Sequence, residues 1–122
     1  MKVFDLKERT ISFFVSVSSV VEGLPEKKSA SIIANQVLRS ASSIGANYRA
    51  ACRAKSGKDF INKLKIVEEE TDETMYWLEL LARLHYVNDL KGKELIVEAN
   101  ELISIFVTSI KTAKTNLGIP IN

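Results

Sequence analysis

The residues of this chain best equipped for chemistry are cations. Between Arg39 and Lys65 stand seven bases (Arg39, Arg49, Arg53, Lys55, Lys58, Lys63 and Lys65) and one acid, Asp59, a net of +6. Arginine presents a planar fork that matches phosphate oxygens, lysine presents a point charge, and each phosphate neutralised releases condensed counterions. The pattern predicts a ridge that binds RNA or DNA through charge and shape, since no base-reading motif accompanies it. The next segment, Ile66 to Glu101, carries ten acids and three bases, a net of −7. The same polarity therefore has a second reading, in which the two segments pair within one chain or between copies of it.

Other candidate chemistry is thinner. Glu68 and Asp72, and Glu69 and Glu73, are four apart and line up along a helix. Bundle metal sites add Glu-x-x-His pairs, but the one histidine, His85, has Ala82 three residues before it, so no metal or other cofactor is expected. His85 has no nucleophile or carboxylate at helical spacing and is expected at a helix end, near the last carbonyls. The lone Cys52 excludes an intrachain disulfide, has no neighbouring base, and is expected to be a small buried hydrophobe. No nucleophile–base constellation stands out, so the chain is expected not to be an enzyme. The apolar run Ile11 to Val21 follows the acids Asp5 and Glu8 and precedes no small-x-small cleavage site. It is also too short to span a bilayer. A cytoplasmic protein with no membrane partner is the expectation.

The elements that position the cations follow from periodicity. A first helix is expected over about Asp5 to Glu22, with Leu6, Thr10, Phe13, Val17, Val20 and Leu24 recurring every three or four residues. Its many β-branched residues leave a strand as the local alternative. A second helix, about Lys28 to Ala54, puts Ile33, Val37, Ala41, Ile44, Tyr48 and Ala51 on one face. At about 100° per residue, Arg39, Arg49 and Arg53 fall within about 80° of one another on the other side. Between them lies Ser40-Ala41-Ser42-Ser43-Ile44-Gly45-Ala46-Asn47. Serine, glycine and asparagine are poor helix formers, so close approach by a neighbouring helix is the reason to expect them there.

Ser56 and Asp59 form an N-cap signature for a third helix, about Lys58 to Tyr86. Its main stripe is Phe60, Leu64, Val67, Thr71, Thr74, Met75, Leu78 and Ala82. Trp77, Leu80, Leu81 and Leu84 make a second apolar face, expected to meet another subunit. Tyr76 and Trp77 could stack on bases, but the aliphatic face around them favours packing. A fourth helix, about Leu90 to Asn116, carries Leu95, Ala99, Leu102, Ile103, Phe106, Ile110, Ala113 and Leu117. Short connections between long helices predict one all-α domain over residues 1–122, an antiparallel up-down-up-down four-helix bundle. In it, Asn47 is expected to hydrogen-bond across the bundle and Arg49 to pair with Glu79 or Asp72.

Three segments carry a resemblance: Ser43-Ile44-Gly45-Ala46-Asn47-Tyr48-Arg49, then Asp59-Phe60-Ile61 with Lys63-Leu64-Lys65-Ile66, then Tyr76-Trp77-Leu78-Glu79-Leu80-Leu81. In their order and spacing, from about Phe4 to Thr112, the chain resembles the bacterial four-helix-bundle family named for proteins encoded in 23S rRNA intervening sequences, often labelled ribosomal-protein-like. It departs from that pattern at Ala50, where an acid usually follows the motif arginine. The resemblance implies a bundle assembled as a homopentameric ring. It also implies kinship with accessory proteins of diversity-generating retroelements, whose basic surface engages nucleic acid and a reverse transcriptase. A non-enzymatic nucleic-acid-associated protein is the leading expectation. The alternative is a structural or protein-interaction module whose charged ridges serve oligomer assembly.

Overall fold

A computed structural model describes residues 5–121 of the chain. Phe4, where the resemblance begins, and the terminal residues 1–3 and 122 lie outside them. Four helices and no strand occur among the described residues: α1 (Leu6–Glu22), α2 (Lys28–Cys52), α3 (Gly57–Arg83) and α4 (Asp89–Asn116). The strand alternative for the first segment is overturned. Thr10, Phe13 and Val17 of α1 are buried at helical spacing, and the Thr10 hydroxyl bonds back to the Leu6 and Lys7 carbonyls. Packing of one face has outweighed the weak helix propensity of β-branched residues.

The helix starts have local causes. The Asp5, Ser56 and Asn88 side chains accept from the first-turn amides of α1, α3 and α4, satisfying donors that no intrahelical carbonyl can reach. The Ser56–Asp59 signature is one of these caps. Only α2 begins without a side-chain cap. It also ends two residues before the expected Ala54, and α3 stops at Arg83 rather than Tyr86. There the chain turns through Leu84 into a left-handed residue, His85, with φ 59°. The His85 and Tyr86 amides donate to the Ala82 and Leu81 carbonyls, the bonding pattern of a Schellman stop. Helix α4 ends the same way, with Gly118 at φ 71°.

Consecutive helices pack antiparallel. Gly45 of α2 faces Thr10 of α1, whereas Val21 shares a groove with Ala30 and Ala34. Ser40 meets Thr74 across α2 and α3, and Lys55 meets Asp59 at their turn. Gly57 abuts Leu117 at one end of the α3–α4 pair and Gly92 approaches Ala82 at the other. Arg9 closes the ring by bonding Glu98 and Glu101 of α4, whose carboxylates outweigh its partial burial and hold the guanidinium charged. The start of α1, the α2–α3 turn and the end of α4 therefore share one end of the bundle.

Phe13, Val17, Val37, Ala41, Ile44, Leu64, Val67, Leu78, Ala99, Leu102 and Phe106 fill the core. Each fully buried large side chain contributes about 1.5–3 kcal/mol of transfer free energy. The α3 stripe differs from the expected one. Ile61 and Leu81 are buried with Leu64, Val67, Thr71, Thr74 and Leu78, while Phe60, Met75 and Ala82 are half-buried. Leu81 is completely inaccessible and so does not belong to the interface proposed for it. It lies three residues beyond Leu78, where the main stripe and the second apolar face of α3 run together. Four polar side chains are buried among the described residues, Thr10, Ser40, Thr71 and Thr74. Thr10 and Thr71 bond carbonyls of their own helices, whereas the Ser40 and Thr74 hydroxyls lie 2.8 Å apart across α2 and α3 and Thr74 also bonds the Glu70 carbonyl.

Candidate nucleic-acid interface

The arginine ridge expected along α2 is divided by the register of α2 against α3. Arg39 lies opposite Glu70 and Glu73 and pairs with both. Its neighbour Trp77 donates its indole N–H to the same Glu73 carboxylate at 3.1 Å. Desolvation, reinforced by the charge on Glu73 and opposed by Arg39, raises the Glu70 pKa above its ordinary value. The buried Glu70 Oε1 sits 3.8 Å from the Arg39 guanidinium, near enough for Coulombic attraction but with no hydrogen-bond partner. Arg39 is thus spent on holding α2 to α3.

Ten residues along α2 the surroundings change. Arg49 pairs with neither Glu79 nor Asp72, and it makes no ion pair among the described residues. The antiparallel register carries it away from the acids of α3 and sets it beside Lys7 of α1. Asn47, one turn from Ser43, donates to the Ser43 carbonyl of its own helix rather than across the bundle. Arg53, Lys55 and Lys58 follow at the turn, exposed and without ion pairs among the described residues. Lys63 bonds Asp59 at 2.7 Å. That contact and the Lys55 amide hold the Asp59 carboxyl below its usual range. Lys65 is exposed and shares a groove with Lys111 and Lys114 of α4.

The result is a cationic end rather than a ridge. Arg49, Arg53, Lys55, Lys58 and Lys65 from α2, the turn and α3 are joined there by Lys7 from α1 and by Lys111 and Lys114 from α4. The last three escape a helix-by-helix reading of the sequence. Their signal is the antiparallel order, which places the start of α1 and the end of α4 beside the α2–α3 turn. Asp5, Glu8 and Asp59 are acids near this end by the same order, and Glu68 lines the groove that Lys65, Lys111 and Lys114 share.

Cys52 corrects another expectation, because it is exposed. It follows Ala51, the last buried residue of α2, and so faces out. Tyr48, one turn earlier, tilts its ring against Phe106 with 6.0 Å between centroids. Burial, then the neighbouring Cys52 side chain, pushes its phenol up to about 12, so it adds no negative charge here at neutral pH. Of the face assigned to a subunit contact, Trp77 and Leu80 are half-buried and Leu84 is exposed. Tyr76 is 54% exposed beside them, its ring edge-on to Trp77 at 5.0 Å. No helix among the described residues is long and apolar enough to cross a membrane.

No curated protein shows detectable similarity to the chain. A solved structure does: a protein of unknown function from the S23 ribosomal protein family of Bacteroides thetaiotaomicron, 36% identical, superposes with a TM-score of 0.80 over 86% of this chain and 97% of its own. The profile of the 23S rRNA-intervening sequence proteins matches residues 2–108, through α1, α2, α3 and most of α4. By that match, reinforced by the shared four-helix fold, the chain belongs to the 23S rRNA-intervening sequence protein family.

Proposed function

We propose that this protein is a non-enzymatic, nucleic-acid-associated protein that holds the phosphates of RNA or DNA on its cationic end. One observation carries the reading. Arg49, Arg53, Lys55 and Lys58 converge there without ion pairs among the described residues, although the chain has acids enough to neutralise them and uses two on Arg39. Bases left unpaired are free to take up phosphates and release the counterions condensed on them. The ring-shaped homopentamer that the resemblance implies fits this role in the cytoplasm. Repeating the end about an axis would add weak contacts through effective concentration, and a nucleic-acid enzyme such as a reverse transcriptase is a partner of matching chemistry. The exposed Tyr76 and Leu84, with Trp77 and Leu80, are the subunit contact we assign to α3.

The alternative, a module whose charges serve assembly alone, is favoured at Arg39, where acids answer the base. The two part under one experiment. Labelled RNA and DNA are titrated by anisotropy across a salt series, with oligomeric mass measured alongside. Arg49→Ser with Arg53→Ser should weaken binding and flatten the salt slope by about one for each phosphate no longer neutralised. Arg39→Ser should leave binding in place and cost about 1–3 kcal/mol of stability, because it strips the part-buried Glu70 and Glu73 carboxylates of their counter-charge. No binding by the parent protein at low salt would defeat the proposal and leave the assembly module.

A further inference from the structure

A groove of about 460 Å³ lies between α1 and α2 beside the cationic end, within the ~300–1,000 Å³ range of small-ligand pockets. Gly45 and Ala46 keep its α2 side low, Ile11 and Phe14 of α1 form an apolar wall, and Lys7 and Arg49 stand at one end. Neither cation has an ion-pair partner among the described residues. Phe14 is only half-buried although it packs against the core, and Ile11 is 44% exposed.

We propose that this groove takes an unpaired base of a single-stranded nucleic acid, stacked on Phe14, with the flanking phosphates on Lys7 and Arg49. The inference rests on the nucleic-acid reading above and narrows it to strands whose bases are free. A duplex hides its base faces and can offer the cationic end only phosphates. A single strand offers both a flat apolar plate and a charge beside it, which is the pairing of surfaces found here. Arg53, one turn past Arg49, continues the phosphate track out of the groove. Hydrogen-bonding groups for base edges are sparse: the Ser42 hydroxyl is donated to the Arg39 carbonyl and that of Thr10 to Leu6 and Lys7. Recognition would then depend on stacking and tolerate any base, as on other aromatic platforms.

Single-stranded and duplex oligonucleotides of equal length and mixed sequence test this, with mass measured for each protein. Phe14→Leu keeps an apolar side chain on the core but removes the ring. Ala46→Leu, at a position favourable to helix, fills the groove. The parent protein should bind the single strand more tightly. Each variant should lose about tenfold on the single strand, as expected for one stacked base, with duplex affinity unchanged. Arg53→Ser should lower both alike. Equal binding of both forms, unaltered by either variant, would overturn the groove assignment while the cationic end stood. Binding of neither form would overturn both. A changed mass for Ala46→Leu would make the groove a contact between copies, and that too would overturn the assignment.

Discussion

His85 holds a backbone conformation that suits it poorly. At φ 59° its Cβ crowds the adjacent carbonyl, a cost of about 1–2 kcal/mol that glycine escapes. The chain contains its own comparison, since Gly118 closes α4 with the same pair of amide bonds and has nothing within 4 Å of where a Cβ would stand. His85→Gly should therefore raise stability by about 0.5–1 kcal/mol, and Gly118→Ala should lower it by a similar amount. Urea denaturation of both variants checks the pair, and a loss of stability in His85→Gly would show that its side chain contributes more than the strain costs. This residue is legible in the sequence as a helix end but not as a left-handed one, because nothing in the run Arg83-Leu84-His85-Tyr86 marks the stop that glycine marks at residue 118. Cys52 and Asn47 depart from expectation for a related reason. Cys52 falls at a helical angle that faces solvent, and Asn47, half-buried, falls at one where its amide meets the Ser43 carbonyl of its own helix rather than a neighbouring helix.

At the scale of elements, periodicity is sufficient for four helices and for most of the core, since the stripes it selects on α1, α2 and α4 contain most of the buried set. It is insufficient on α3, where apolar residues occupy more than one face and only the neighbouring helices decide which of Leu80, Leu81 and Leu84 turns inward. The small residues of α2 prove to have two separate neighbours. Gly45 admits Thr10, whose hydroxyl would stand 3.2 Å from an added Cβ, while Ser40 meets Thr74 on α3. That hydroxyl pair is the polar contact inside an otherwise apolar α2–α3 seam. Thr74→Val and Ser40→Ala should each destabilise by about 1 kcal/mol, with the double variant less costly than their sum by about 0.5–1.5 kcal/mol. A double-mutant cycle measured by denaturation reads the coupling, and strict additivity would mean that the two hydroxyls do not act together.

For the whole molecule, the sequence shows that charge is polarised but not how. A ridge along one helix and a cap over one end contain many of the same residues, and only the antiparallel order chooses between them. That order brings in Lys7, Lys111 and Lys114 and retires Arg39 to a structural pairing. It also separates two regions that sequence had joined: Arg39 and Arg49 stand ten helical residues apart, about 15 Å along the axis. The chain has one tryptophan, and it lies at the Arg39 end, with its indole proton on Glu73. Its fluorescence is consequently a built-in reporter of one region and blind to the other. An oligonucleotide seated on the cationic end should leave the emission maximum where it was, whereas, if copies join through α3 as proposed, dilution that separates them should shift it to longer wavelength as water reaches the indole.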